Sequence, residues 1–162
     1  MFPALDLSQA LAPGEGGAFW LLGTLVTIKV AGELTGNALA VTEHLVPVGG
    51  GLPPHIHHVE DEILYVLEGE IAGQCGAQPL RAGAGGTLFL PRGVAHVWRA
   101  VGECPARLVI VTTPAGFERF CVAAGDPAQV RVLPDGAVEM AALEKLLLVA
   151  PQYGLEMLPA AK

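Results

Sequence analysis

The chain has 162 residues, 52% of them hydrophobic and 15% charged, with a formal net charge of -7 and a mean hydropathy of +0.50. That supplies the core of one domain, residues 1–162, and the acidic balance serves solubility. The nine basic residues are scattered singly, from Lys29 to Lys162, which excludes a nucleic-acid footprint.

No Lys or Arg precedes Lys29, so a charged leader is not expected, and the apolar run Ala18 to Val26 is too short and interrupted to span a bilayer. It reads as a strand. Further short runs rich in Val, Ile, Leu and Thr follow: Phe19 to Val30, Ala38 to Val48, Ile63 to Cys75, Gln78 to Arg81, Thr87 to Leu90, Ala95 to Ala100 and Arg107 to Thr113. Glycine- and proline-rich breakers separate them, among them Gly49-Gly50-Gly51-Leu52-Pro53-Pro54 and Ala82-Gly83-Ala84-Gly85-Gly86. Regular short strands of this kind predict an all-β sandwich or barrel, over about residues 18–113. Beyond Pro114 the pattern changes to a helical tail, about 114–158. Gly116 to Val122 fits one short helix, and Val138 to Val149 carries an apolar stripe ended by Pro151, with Asp135 as its candidate N-cap. The cysteines, Cys75, Cys104 and Cys121, are odd in number and lack C-x-x-C spacing; a reducing cytoplasm suits them better than a disulfide framework.

Two segments carry the chemistry: His55-Ile56-His57-His58-Val59-Glu60-Asp61-Glu62 and Pro91-Arg92-Gly93-Val94-Ala95-His96. His55 and His57 are two apart, so on an extended chain they share a face about 7 Å apart at about 3.3 Å per residue. Glu62 and His96 each stand where the chain enters an apolar run. Four donors can therefore converge on one ion. Glu60 and Asp61 compete with Glu62 as the carboxylate, and the spacing to Gly69 favours Glu62. His58 points opposite to His57 and is expected behind the ligands or exposed. Arg92 is read as a rim residue, and His44 as an ordinary hydrogen-bonded core or surface histidine.

In these residues the chain resembles the cupin family. The first half of the cupin signature is met by Gly49, His55, His57, Glu62 and Gly69, and the second by Gly85, Pro91, Gly93 and His96. The Asn that closes the second half is replaced by Ala100, which is expected to be a turn residue and not a ligand. Pro114 to Glu118 and Tyr153 to Glu156 also resemble the tails of small quercetinase-like cupins. The resemblance implies a double-stranded β-helix, or jelly roll, with a short C-terminal helical segment. It also implies one divalent ion of the Mn, Fe, Co, Ni and Zn group on His55, His57, Glu62 and His96.

Three neutral imidazoles and one carboxylate leave a unit positive charge on such an ion and open positions for water or a chelating substrate. Glu62 is the candidate catalytic residue, a ligand that accepts a proton from a substrate hydroxyl; the resemblance implies this role. Trp98, on the face of His96, leads the candidate substrate-lining residues, with Leu64, Val66, Phe89, Val94 and Tyr65. The leading function is dioxygenation of a phenolic or enolic chelating small molecule. Sugar or keto-enol isomerisation, and non-catalytic metal-anchored binding, are the alternatives. A homodimer is expected, without nucleic-acid or membrane partners.

Overall fold

The computed structural model describes residues 8–159. Its strands are β1 (Ala18–Leu21), β2 (Thr24–Val30), β3 (Ala40–Val46), β4 (His55–His57), β5 (Asp61–Glu68), β6 (Glu70–Cys75), β7 (Gln78–Gly83), β8 (Thr87–Leu90), β9 (His96–Val101) and β10 (Ala106–Thr113). Helix α1 (Phe117–Ala124), the short β11 (Asp126–Pro127), α2 (Met140–Val149) and β12 (Leu155–Met157) complete the chain. Seven strands form one sheet in the order β11-β1-β2-β3-β10-β5-β8, and five form the other in the order β12-β4-β9-β6-β7. All pairings are antiparallel, and the two sheets make the expected jelly roll.

Local chemistry sets the breaks. The apolar run expected as one strand from Phe19 is folded back at Leu22 and Gly23, both at positive φ (45° and 81°), as a two-residue hairpin turn requires. The run from Ile63 to Cys75 is likewise cut at Gly69, where φ is 76°. There the chain leaves the seven-stranded sheet as β5 and enters the five-stranded one as β6. A Cβ on Gly69 would lie 2.7 Å from the Pro105 carbonyl oxygen, so both backbone angle and space demand glycine.

Inside, the strands alternate. On β3, β9 and β10 every second residue is buried, as for sheets with one face on a core. One end of the barrel is filled by apolar side chains, including Leu64, Val66, Ile71, Leu90 and Leu108. The other end holds buried polar groups: Thr42 and His44 of β3, His55 and His57 of β4, Glu62 of β5 and His96 of β9. A second apolar cluster closes that polar end. It joins Leu21 and Val26 of the barrel to Phe117, Phe120, Leu146 and Leu155 of the C-terminal segment. In α1 the buried Phe117, Phe120, Cys121 and Ala124 lie three, four and seven residues apart, one helical face.

Two sequence expectations are corrected. Ala100 is not in a turn: β9 continues to Val101, and the Ala100 side chain is buried in the apolar end of the barrel. An Asn amide there would need buried hydrogen-bond partners, whereas a methyl group needs none. Asp135 does not cap the last helix, which begins at Met140 after Glu139, without a side-chain cap; Gly136, at φ 90°, makes a backbone turn instead.

Candidate metal centre

The ligand strands are held in register by backbone bonds. His55 of β4 pairs directly with His96 of β9. The Gly93 N–H, from the second motif, donates to the His57 carbonyl at 2.8 Å. Glu62, second residue of β5, enters from the opposite sheet, so the four side chains converge across the barrel from both walls. One donor atom from each of His55, His57, Glu62 and His96 lies within 4.8 Å of all the others. All four side chains are buried.

The hydrogen bonds behind the imidazoles fix which nitrogen faces in. The Nδ1–H of His55 donates to the Pro53 carbonyl at 2.8 Å, that of His96 to the Val94 carbonyl at 3.1 Å, and that of His57 to Glu60 Oε2 at 2.8 Å. With each Nδ1 carrying its proton, the Nε2 lone pairs all point at one another. His55 Nε2 and His57 Nε2 are 3.2 Å apart, and His96 Nε2 is 3.3 Å from Glu62 Oε2. Neither Glu62 Oε2 nor His96 Nε2 has a hydrogen-bond partner, although both are buried. Lone pairs crowded together and buried polar atoms without partners are costly unless a cation sits between them. Three imidazole nitrogens and a carboxylate oxygen suit a divalent first-row metal, and the residues present fit one.

Electrostatics agree with that assignment. Burial, then the neighbouring His96 and His57, lower His55 to about 3, so it is neutral and ready as a ligand. Burial opposes the charged form of His57, yet the Glu60 hydrogen bond and the Glu62 charge prevail and raise its pKa. Burial would likewise raise Glu62, but the approach of His96 Nε2 to Oε2 at 3.3 Å and the His57, His96 and His55 charges outweigh it and hold the carboxyl at about 2, ionised at neutral pH.

The other acidic and basic residues of the motifs separate cleanly. Glu60 is buried and serves His57 from behind. Asp61 forms an outer ion pair with Arg92, whose guanidinium and backbone N–H all reach its carboxylate, which keeps Asp61 down at about 2. His58 is exposed and paired with Glu156 at 2.7 Å.

Beside the ligands lies a cavity of about 20 Å³, room for one or two waters. His55 and Glu62 border it, with Leu21, Leu52, Trp98, Ile110 and Phe117 as apolar wall, Thr24 as a polar residue and His44 as the further imidazole. Trp98 is thus where the sequence places it. Leu64 and Val66 face the barrel interior but pack in its apolar end, and Val94 serves the site through its carbonyl. Tyr65 and Phe89, 43% and 60% exposed, lie on the outside of the seven-stranded sheet. His44 is among the cavity residues that sequence reasoning passed over, with Thr24 and the apolar wall other than Trp98; its alternation with Thr42 along β3 was the available signal.

Comparison with known proteins agrees with this geometry. Residues 42–112 match the cupin domain family. The chain is 35% identical over 99 residues to germin-like protein 1-4 of Oryza sativa subsp. japonica, covering 52% of this chain and 42% of that protein. An uncharacterised protein of Methanocaldococcus jannaschii is 27% identical over 75 residues, 46% of this chain and 60% of that protein. The chain therefore spans less than two thirds of either curated relative. Among solved structures, an oxalate oxidase is 26% identical with a TM-score of 0.56, over 70% of this chain and 62% of that one. A predicted oxalate decarboxylase from Thermotoga maritima superposes with a TM-score of 0.61 at 18% identity, over 65% of this chain and 99% of that one. KdgF from Halomonas sp. does so at 0.53 and 19%, over 68% and 90%. The last two bear on the fold alone.

Proposed function

Residues 42–112 form a cupin domain, and from that premise we propose that the chain is a metal-dependent enzyme of the quercetinase-like kind, a dioxygenase acting on a compact enolic or phenolic chelator. The observation that carries this reading is the wall of the cavity: donors on one side, apolar side chains, Thr24 and one imidazole elsewhere, and neither Lys nor Arg among its lining residues. A dicarboxylate of the oxalate type would bring two negative charges to a site whose ligands leave the ion a net charge of only one, with no cationic side chain to meet the second. An enol or catechol brings less charge and an apolar body that Trp98, Ile110 and Phe117 can cover.

His55, His57, Glu62 and His96 would hold the ion, which when bound supplies Lewis acidity toward the substrate oxygens. Glu62, ionised and with an unpartnered Oε2, is placed to accept the proton that a substrate O–H gives up on becoming an oxyanion. The apolar cover formed by the C-terminal segment keeps bulk water from the reacting atoms. We further propose a cytoplasmic homodimer, consistent with the free edges of β7 and β8 and with free cysteines; sedimentation velocity would show a single species of twice the chain mass.

The test is oxygen uptake by metal-loaded protein offered acetylacetone, catechol, quercetin and oxalate. Uptake with acetylacetone or catechol is expected. Uptake with oxalate alone would contradict the reading, and turnover of an enolisable ketone without uptake would replace it with isomerisation. Glu62→Gln should keep part of the metal and lower turnover at least 100-fold, in keeping with loss of a general base; undiminished turnover would remove Glu62 from proton transfer.

A further inference from the structure

His44 is 4% exposed, sits on β3, which pairs with none of the three ligand strands, and yet borders the same cavity as His55 and Glu62. Its Nε2 is 2.9 Å from Thr42 Oγ1, and that is the hydrogen bond the ring makes among the described residues. Thr42 is itself buried, and its hydroxyl has no other hydrogen-bond partner among the described residues. A buried hydroxyl must donate its proton, and His44 Nε2 is the acceptor within reach; the O–H therefore points at Nε2, which must carry a lone pair. A neutral imidazole with an acceptor at Nε2 carries its proton at Nδ1. Among the described residues that Nδ1–H has no acceptor, and the His44 side chain lines the cavity. The Phe117 ring lies nearly parallel to the imidazole, 13° between planes at 6.0 Å, and limits its rotation. Burial lowers His44 to about 4, more than the nearby Glu62 charge raises it, so the ring stays neutral at physiological pH.

We propose that His44 is a substrate-positioning residue: its Nδ1–H, set by the Thr42 hydroxyl, donates a hydrogen bond across the cavity to an oxygen of the small molecule held at His55, His57, Glu62 and His96. The inference rests on the metal-anchored ligand site proposed above and adds its recognition chemistry. His44 lines the same cavity as His55 and Glu62, so an occupant anchored at those donors lies against its ring. In a wall whose one other polar side chain away from the four donors is that of Thr24, one fixed N–H orients an oxygen-bearing ligand and disfavours a hydrocarbon edge in that place.

The probe is acetohydroxamate, a five-heavy-atom chelator with two oxygens, titrated calorimetrically into protein loaded with one equivalent of Ni²⁺. His44→Leu should keep its metal and bind the probe about tenfold more weakly, the size of one hydrogen bond. His44→Asn, whose amide N–H falls near the position of Nδ1, should recover binding to within about threefold of the parent chain. Thr42→Val keeps the ring but frees its tautomer, and should weaken binding severalfold; it serves as the test should His44→Leu fail to fold. Parent protein that holds nickel but does not bind the probe would remove the proposed ligand site, and this inference with it. Binding unchanged in His44→Leu and Thr42→Val, with metal retained, would remove the inference alone.

Discussion

Glu60 sets the orientation of His57. Its Oε2 accepts the hydrogen bond of the Nδ1–H at 2.8 Å, and without that acceptor the ring could turn its lone pair away from the cluster. Glu60→Gln should therefore weaken metal binding about 10- to 100-fold, as loss of a carboxylate behind a histidine ligand does; Asp61→Asn, which touches only Arg92 and the outer surface, should leave the affinity unchanged, and competition with a chelating dye would separate the two. His44 makes the pH dependence specific. Its folded value of about 4 lies below the ordinary 6.5, so between those limits the unfolded chain binds a proton that the folded chain does not. Stability is then complete above about 6.5 and falls by up to about 3 kcal/mol as the pH drops toward 4. Urea unfolding of metal-free protein should show that loss, and His44→Leu should lack this share of it. At this scale the sequence was informative wherever strand parity applied. His55, His57 and the buried Trp98 follow from alternation, and the same parity, counted from Glu62 inward, turns Ile63 and Tyr65 outward. What alternation could not show is the neighbour across the barrel, which is why Glu60 and Glu62 were separable by spacing alone and the opening of His44 on the cavity was hidden.

Among the elements, Gly69 carries the largest topological burden, because one residue moves the chain between sheets and sets Glu62 on one and β6 on the other. Gly69→Ala should cost on the order of 1–3 kcal/mol through the positive φ and the close Pro105 carbonyl together, seen as a lower urea midpoint with unchanged slope. Val66→Ala offers the contrast: it leaves a cavity in the apolar end without disturbing the turn. Breaks of this kind were only partly legible. Gly-rich loops announced themselves by composition, whereas the single Gly69 inside an apolar run did not. The strand β12 was illegible for another reason: three residues carry no periodicity, and its extended form comes from pairing with the open edge of β4, Leu155 against His57 and Met157 against His55. The α2 start was displaced because Pro134-Asp135-Gly136 has the composition of a cap and the backbone of a turn.

For the molecule as a whole, the division of the barrel into an apolar end and a polar end explains how an acidic, strongly hydrophobic chain keeps four ionisable donors out of water. The apolar end anchors the strands. The C-terminal segment, through Phe117, Phe120, Leu146 and Leu155, covers the polar end. No helix among the described residues is long and apolar enough to cross a membrane. Jelly-roll architecture was legible from regular short strands and punctuation. The closing of the site by residues downstream of all four ligands, from Phe117 to Leu155, was not, because only tertiary packing brings them there. The central claim is that four buried donors hold one metal ion, and elemental analysis of untagged protein tests it most directly. About one equivalent of a divalent transition metal is expected in the parent chain and in His44→Leu, and almost none in His57→Ala. Equal metal content in His57→Ala and the parent chain, or none in the parent chain after exposure to Mn, Fe, Co, Ni and Zn, would contradict it.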